Sequence, residues 1–307
     1  MKELAQKRET GLFLRREAIK AGYDDRSLRA AVRSGSMHRL RQGAYVPAEV
    51  WAALDEEGRH RLLVSAVLLV NKKVAVSHTS AALLHGLPLW EPDLSRAHIL
   101  RGDLGSGRVL PDLVHHEGTV EPEWLVGPTP IVPPAVAALG HASLVDTEHG
   151  LVTLDGLLAS GVSRKVLQAE YELREGDPGF QHVRIAMLLA DGGARSVAES
   201  RLRYVCHTQS LPCPVLQFEV RGPDGLIGTT DFAWPDHGVL GEMDGRVKYG
   251  RYLRPGETAA DAVFREKVRE DRLREATGWI VIRFTWADLQ DPRRTAERIR
   301  RALRIAA

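Results

Sequence analysis

The sequence predicts a mixed α/β protein built in three parts, and three observations predict it. A helix, a break, an arginine-bearing helix and an alternating apolar/basic segment follow one another within residues 10–47. Helical periodicity interrupted by short extended pieces fills residues 51–190. From residue 195 onward the signals run α-β-β-β-α-β-α, with carboxylates placed in and at the ends of the strands.

The 307 residues suffice for two or three separate cores, and 44% hydrophobic with 27% charged residues is an ordinary globular balance. No run of about 18 apolar residues exists to span a membrane. Residues Met1–Glu9 are charged and lack the apolar stretch of a signal peptide. Two cysteines, Cys206 and Cys213, are too few for a disulfide framework, and no CxxC pair forms a zinc site. A cytoplasmic location without a membrane partner is expected. The net charge of +2 hides a partition: residues 1–50 carry +5, residues 246–307 carry +7, and the stretch between them carries −10. Arginine dominates both basic ends, which suits two separate phosphate-contacting surfaces around an acidic middle.

In the first part, Leu12, Leu14, Ala18 and Ile19 form an apolar stripe that predicts a helix over Leu14–Ala21. Gly22-Tyr23 breaks it, and Asp24 or Asp25 can cap the next helix. Leu28, Ala31 and Val32 face inward there and leave Arg26, Arg29 and Arg33 outward; Gly35 stops the helix. Met37–Val46 then alternates apolar and basic residues, with Gly43 at a tight turn. Helix, turn, basic helix and basic hairpin is the order of a winged helix-turn-helix, assigned to residues 1–50. Such a helix fits the major groove of double-stranded DNA, with arginines on phosphates and outward side chains at base edges. The candidate DNA contacts are Arg26, Arg29 and Arg33 on the helix and His38, Arg39, Arg41 and Gln42 on the hairpin.

The middle part, residues 51–190, predicts helices at Arg59–Asn71, Ser80–Leu84, Ala135–Leu144, Thr153–Ser160 and Ser163–Glu172. Extended pieces are expected at Val74–Ser77, His98–Arg101 and Leu113–Glu117. Gly102–Gly107 lacks the lysine of a phosphate loop and reads as a hairpin turn. The histidines (His78, His85, His98, His115, His116, His141, His149) share no ligand spacing with a carboxylate and read as packing or surface residues. A linker is expected around Gly176–Gly179 or Asp191–Gly193.

The last part, residues 195–307, predicts a helix over Ser196–Gln209, strands over Val215–Arg221, Gly228–Trp234 and Val239–Met243, a long helix over Ala259–Thr277, a strand to Phe284 and a helix from Asp291-Pro292. Alternation puts Glu242 and Asp244 on one face of their strand, and a hairpin pairing brings Asp231 beside them. Glu199 reads equally as a fourth acid or as the second half of a capping box with Ser196. Carboxylates packed together repel unless a cation neutralises them, and hard oxygens suit Mg²⁺ or Mn²⁺, which would activate water for phosphodiester hydrolysis. Lys248 on the following turn, and Lys267 and Arg272 on the long helix, are candidates to reach that site or hold phosphate. The interleaved acids of that helix also allow a solvated face.

Two resemblances sharpen these expectations. Ala18–Gly22, the helix Arg26–Gly35 and the hairpin Arg39–Pro47 resemble the N-terminal domain of the AbiEi-type abortive-infection antitoxins, continuing weakly through Ser77–Ala82 and Leu84–Pro88. That likeness implies operator binding, autorepression and a cognate toxin as partner. The segments ESRLR (from Glu199), TTDFAWP (from Thr229), GEMDGRVKYG (from Gly241) and Glu266–Leu289 resemble the Vsr-like domain of the PD-(D/E)xK nuclease superfamily, over residues 195–304. It implies a restriction-endonuclease-like αβββαβ domain, Asp231 and Glu242 as metal ligands, and Glu199 and Asp244 as accessory acids, with Lys248 of the following turn a further catalytic candidate. The position two after the second acid, often lysine in that superfamily, is Asp244 here. Two functions follow as expectations: a metal-dependent DNA endonuclease, or a non-catalytic repressor whose nuclease fold binds DNA or a partner.

Overall fold

The computed structural model describes residues 1–102, 107–177, 179–223, 225–244 and 258–305, and of 259–267 the backbone alone. Within these residues the chain is mixed α/β, with thirteen α-helices and three sheets. Its contacts gather into two units: Met1–Val145 with Gln168–Gly176, and Asp146–Leu167 with Asp177–Ala307. The stretch 51–190 is thus divided between them. No described helix is long and apolar enough to cross a membrane.

The first unit opens with helix Lys2–Ala5, strand β1 (Phe13–Leu14), helices Arg15–Lys20 and Asp25–Arg33, and strands β2 (Met37–Arg41) and β3 (Ala44–Pro47). The strands form an antiparallel sheet in the order β1-β3-β2. The helix expected from Leu14 starts one residue later, because Leu12 and Leu14 are buried as extended chain and Ile19 is 41% exposed. Glu17 fixes that start: its Oε2 accepts the Leu14 amide at 2.7 Å while Arg8 Nη2 holds its other oxygen at 2.7 Å. The Arg8 guanidinium keeps the Glu17 carboxyl down at about 2. Asp24 caps the second helix through the Ser27 amide at 2.7 Å, and Ser27 Oγ accepts the Asp24 amide in return. Leu28 and Ala31 pack with Phe13, Ala18, Met37 and Tyr45, so the sheet and both helices share one small core.

Further along, helix Glu56–Val70, helix His78–Leu84 and helix Pro134–Ala142 pack on a second sheet. Its strands are β4 (Ala75–Val76), β5 (Ala97–Arg101), β6 (Arg108–Leu110) and β7 (Leu113–Glu117), in the order β4-β5-β7-β6. β5 and β7 run parallel. The hairpin reading of Gly102–Gly107 is therefore corrected: β7 lies between β5 and β6, so that connection does not join neighbouring strands. Asp103–Ser106 lie outside the described residues.

The second unit contributes helices Thr147–Ala159, Phe180–Leu189 and Val197–Thr208, then strands β8 (Val215–Gly222), β9 (Gly225–Trp234) and β10 (Val239–Met243). Helix Ala259–Thr277, strand β11 (Ile280–Phe284) and helix Pro292–Leu303 complete it, so the α-β-β-β-α-β-α order is observed. The sheet order is β11-β10-β9-β8, parallel between β10 and β11 and antiparallel elsewhere. One face packs Phe232, Trp234, Val239, Met243 and Phe284 against Leu202, Cys206, Ile299 and Leu303. The other sets Val220, Ala233 and Leu240 against Leu273 of the long helix. The Phe180–Leu189 helix occupies chain beside the expected linkers, with Phe180, Val183, Ala186 and Met187 buried.

Candidate functional site

On the N-terminal helix, Arg26, Arg29 and Arg33 are exposed, as are Arg39 and Gln42 of the hairpin. The capped helix and the two-residue turn Gln42–Gly43, where Gly43 takes φ +79, set these side chains on adjoining elements. Two other expected contacts are not on that surface. Arg41 is corrected to a structural role: its Nε lies 2.8 Å from Asp112 Oδ2 and its side chain is only 13% exposed. His38 stacks on Trp51 with ring centroids 4.2 Å apart, and the Arg59 guanidinium lies 5.0 Å from the same Trp51 ring. Burial, reinforced by the Arg59 charge, lowers the His38 pKa, which works against a charged ring facing phosphate.

In the second unit the acids sit where the sheet forks. The β9–β10 ladder runs from Val239↔Trp234 to Gly241↔Phe232 and stops. One step further the register would set Glu242 opposite Asp231; there, Asp231 Oδ2 accepts the Met243 amide at 2.8 Å, a side chain standing in for the neighbouring strand. By alternation from the Ala233–Leu240 pair, Asp231 and Glu242 share the face covered by helix Ala259–Thr277. Arg269 descends from that helix: its Nη2 lies 2.6 Å from both Glu242 oxygens, and Nη1 donates to the Thr229 carbonyl at 3.1 Å. Glu242 is buried, with 5% of its side chain exposed.

Asp244 is held by Arg283 Nη1 at 3.2 Å, and Arg283 also bonds Glu270 at 2.8 Å, which pairs in turn with Arg274. Arg283 stands in register beside Glu242 on β11. Glu199 is a helix cap in geometry: it accepts from the Arg195 amide at 2.9 Å, the Ser196 hydroxyl at 2.7 Å and Gln217 Nε2 at 3.1 Å. Burial raises its pKa, and the Asp231 charge adds to that against the pull of the Arg195 amide and Ser196 hydroxyl. Arg201 and Arg203 of the same helix bond Glu148 and Asp155, each at 2.8 Å, tying it to Thr147–Ala159. Lys248 lies outside the described residues, as does the side chain of Lys267; Arg272 is exposed on its helix.

The donor set is chemically suited to a hard cation, but among the described residues no group of three or more His, Cys, Asp or Glu side chains is gathered to hold one. Each acid has its own nitrogen partner: Glu242 has Arg269, Asp244 has Arg283, and Asp231 has the Met243 amide. As arranged, the residues do not fit a divalent ion, because a guanidinium already fills the neutralising position on Glu242. Sequence reasoning did not pair these arginines with the acids; Arg269 is 27 residues from Glu242.

A buried imidazole array in the first unit is the other feature that spacing did not reveal. His78 stacks on His116 with centroids 3.5 Å apart, and His98 Nδ1 lies 2.9 Å from His116 Nε2. Burial, helped by His116 acting on His98 and by His115 acting on His116, brings His98 down to about 3 and His116 to about 4. The array is therefore neutral at pH 7, in keeping with a packing role.

No known protein-family model matches the chain. The uncharacterized proteins MT2308 and Rv2248, from two strains of Mycobacterium tuberculosis, are each 28% identical to it over 274 residues, 89% of this chain and 94% of theirs. The crystal structure of the RV2827C protein from Mycobacterium tuberculosis aligns over 72% of this chain and 87% of that one, at 17% identity and a TM-score of 0.39.

Proposed function

We propose that the chain is a cytoplasmic double-stranded-DNA-binding protein of the repressor type, with residues 1–50 as a winged helix-turn-helix. The observation that carries this is the exposed arginine set Arg26, Arg29, Arg33 and Arg39 on a capped helix and its adjoining hairpin. The element order and the β1-β3-β2 sheet support the same reading. Arginine is suited to the work because its planar fork meets phosphate or guanine in two parallel hydrogen bonds. The resemblance to AbiEi-type antitoxins supports regulation of its own operon and a toxin partner. The test is a gel shift against DNA flanking the gene. Arg29→Ala and Arg33→Ala should weaken binding with no change in stability; unchanged affinity and salt dependence would reject the reading.

A metal-dependent DNA endonuclease on the restriction-endonuclease-like pattern is the second reading, favoured by the same-face placement of Asp231 and Glu242. It requires Arg269 to release Glu242 before Mg²⁺ or Mn²⁺ could be held by Asp231 and Glu242, with Glu199, Asp244 and Lys248 as the accessory residues of that reading. Plasmid nicking by the intact protein with either metal, abolished by both Asp231→Ala and Glu242→Ala, would establish it. Equal background in all three proteins would leave the repressor.

A further inference from the structure

Helix Pro292–Leu303 buries Thr295, Ala296, Ile299 and Leu303 and turns every other position outward or sideways. Arg298 is spent on Asp288 at 3.2 Å and on the Arg283 carbonyl, and Arg300 on the Gln209 carbonyl at 2.6 Å. Arg293, Arg294, Arg301 and Arg304 remain exposed, and the sole acid on the helix is Glu297. At 100° per residue, Arg293, Arg294 and Arg301 of the helix lie within an arc of about 100°, which also holds the exposed Glu297 at about 40°, and Arg304 follows as the left-handed C-cap at φ +57. The three helical arginines span about 12 Å, over which one strand of a duplex carries three or four phosphates.

Helix stability does not explain them all. Arg301 and Arg304 complement the negative end of the helix, but Arg293 and Arg294 stand in the first turn, which holds no acid. Cations there oppose the helix dipole. No large apolar side chain is exposed on this face, so it lacks what an amphipathic helix needs to enter a lipid surface. Arginine, rather than lysine, at all four positions favours bidentate phosphate contact.

We infer that this face is a second DNA-contacting surface, one that grips the sugar–phosphate backbone of duplex DNA without reading bases. The inference rests on the DNA-binding function proposed above and adds to it a separate, sequence-independent contact. The full-length chain is titrated with operator and with unrelated duplex DNA over a range of salt, comparing wild type with the triple variants R293A/R294A/R301A and R26A/R29A/R33A. The C-terminal variant should bind both duplexes more weakly by the same factor, about ten- to a hundredfold. Its slope of log affinity against log salt should fall by two to three, at unchanged melting temperature. The N-terminal variant should lose the preference for operator. A C-terminal slope equal to wild type overturns the inference, as does an effect confined to duplex RNA, polyglutamate or anionic vesicles. If the N-terminal substitutions change nothing while the C-terminal ones lower the slope, the helix-turn-helix reading fails and this one stands.

Discussion

Arg269 Nη2 sits 2.6 Å from both carboxylate oxygens of Glu242, inside the fork where β9 and β10 part. Removing the guanidinium would strand a charge that is almost fully buried. Arg269→Ala should cost about 3 kcal/mol in urea denaturation, and adding Glu242→Gln should return part of it. A loss under about 0.5 kcal/mol would mean that water reaches Glu242 freely.

Arg41 and Arg29 should separate cleanly. Arg41→Ala breaks a largely buried pair with Asp112 and should lower stability by about 1–3 kcal/mol. Arg29→Ala, at an exposed position, should leave the melting curve alone and weaken DNA binding. The reverse pattern in paired melting and gel-shift experiments would exchange their assigned roles.

The imidazole array gives the first unit an acid-side weakness. His98 and His116 are held near 3 and 4, below the ordinary 6.5, so the unfolded chain takes up protons first as pH falls. Stability should be full above pH 6.5 and decline toward pH 4, by up to about 1.4 kcal/mol per pH unit for each ring. His116→Asn should flatten the decline. Urea midpoints constant between pH 7 and 5 would contradict this.

Gly241 is packed without slack. A β-carbon there would lie 3.1 Å from the Phe232 β-carbon, 3.2 Å from Trp234 and 3.3 Å from Phe284. Gly241→Ala should destabilise by about 1–3 kcal/mol, read from the urea midpoint. A neutral result would show that the aromatic layer can yield.

Glu17 should matter beyond its size. Its carboxyl, held at about 2 by Arg8, contributes stability above the ordinary carboxylate range that is lost as pH falls through 2. Glu17→Ala should cost about 1–2 kcal/mol, because the Leu14 amide and Arg8 both lose their acceptor. Glu17→Gln should recover the amide bond but not the charge.

Local chemistry was legible, and long-range pairing was not. Asp24, Gly22 and Gly35 bound the arginine helix where capping and positive φ require. Strand alternation set Glu242 and Asp244 on one face and hairpin pairing brought Asp231 toward them, because a period of two holds along a strand wherever no bulge interrupts it. Nothing in the spacing tied Arg41 to Asp112 or Arg269 to Glu242, because charge pairing across 71 or 27 residues is fixed only once helices dock. The imidazoles meet through the parallel register of β5 and β7, which leaves no periodic mark in sequence.

The arginine helix Asp25–Arg33 has nine residues and the hairpin beside it turns on two. Such a helix is about 13 Å long and would span only about four base pairs of a groove. A four-letter word recurs by chance about every 256 positions, far too often to mark one address in a genome. A single copy would thus be a poor reader, and a usable operator would have to repeat the word at helical spacing for a second copy.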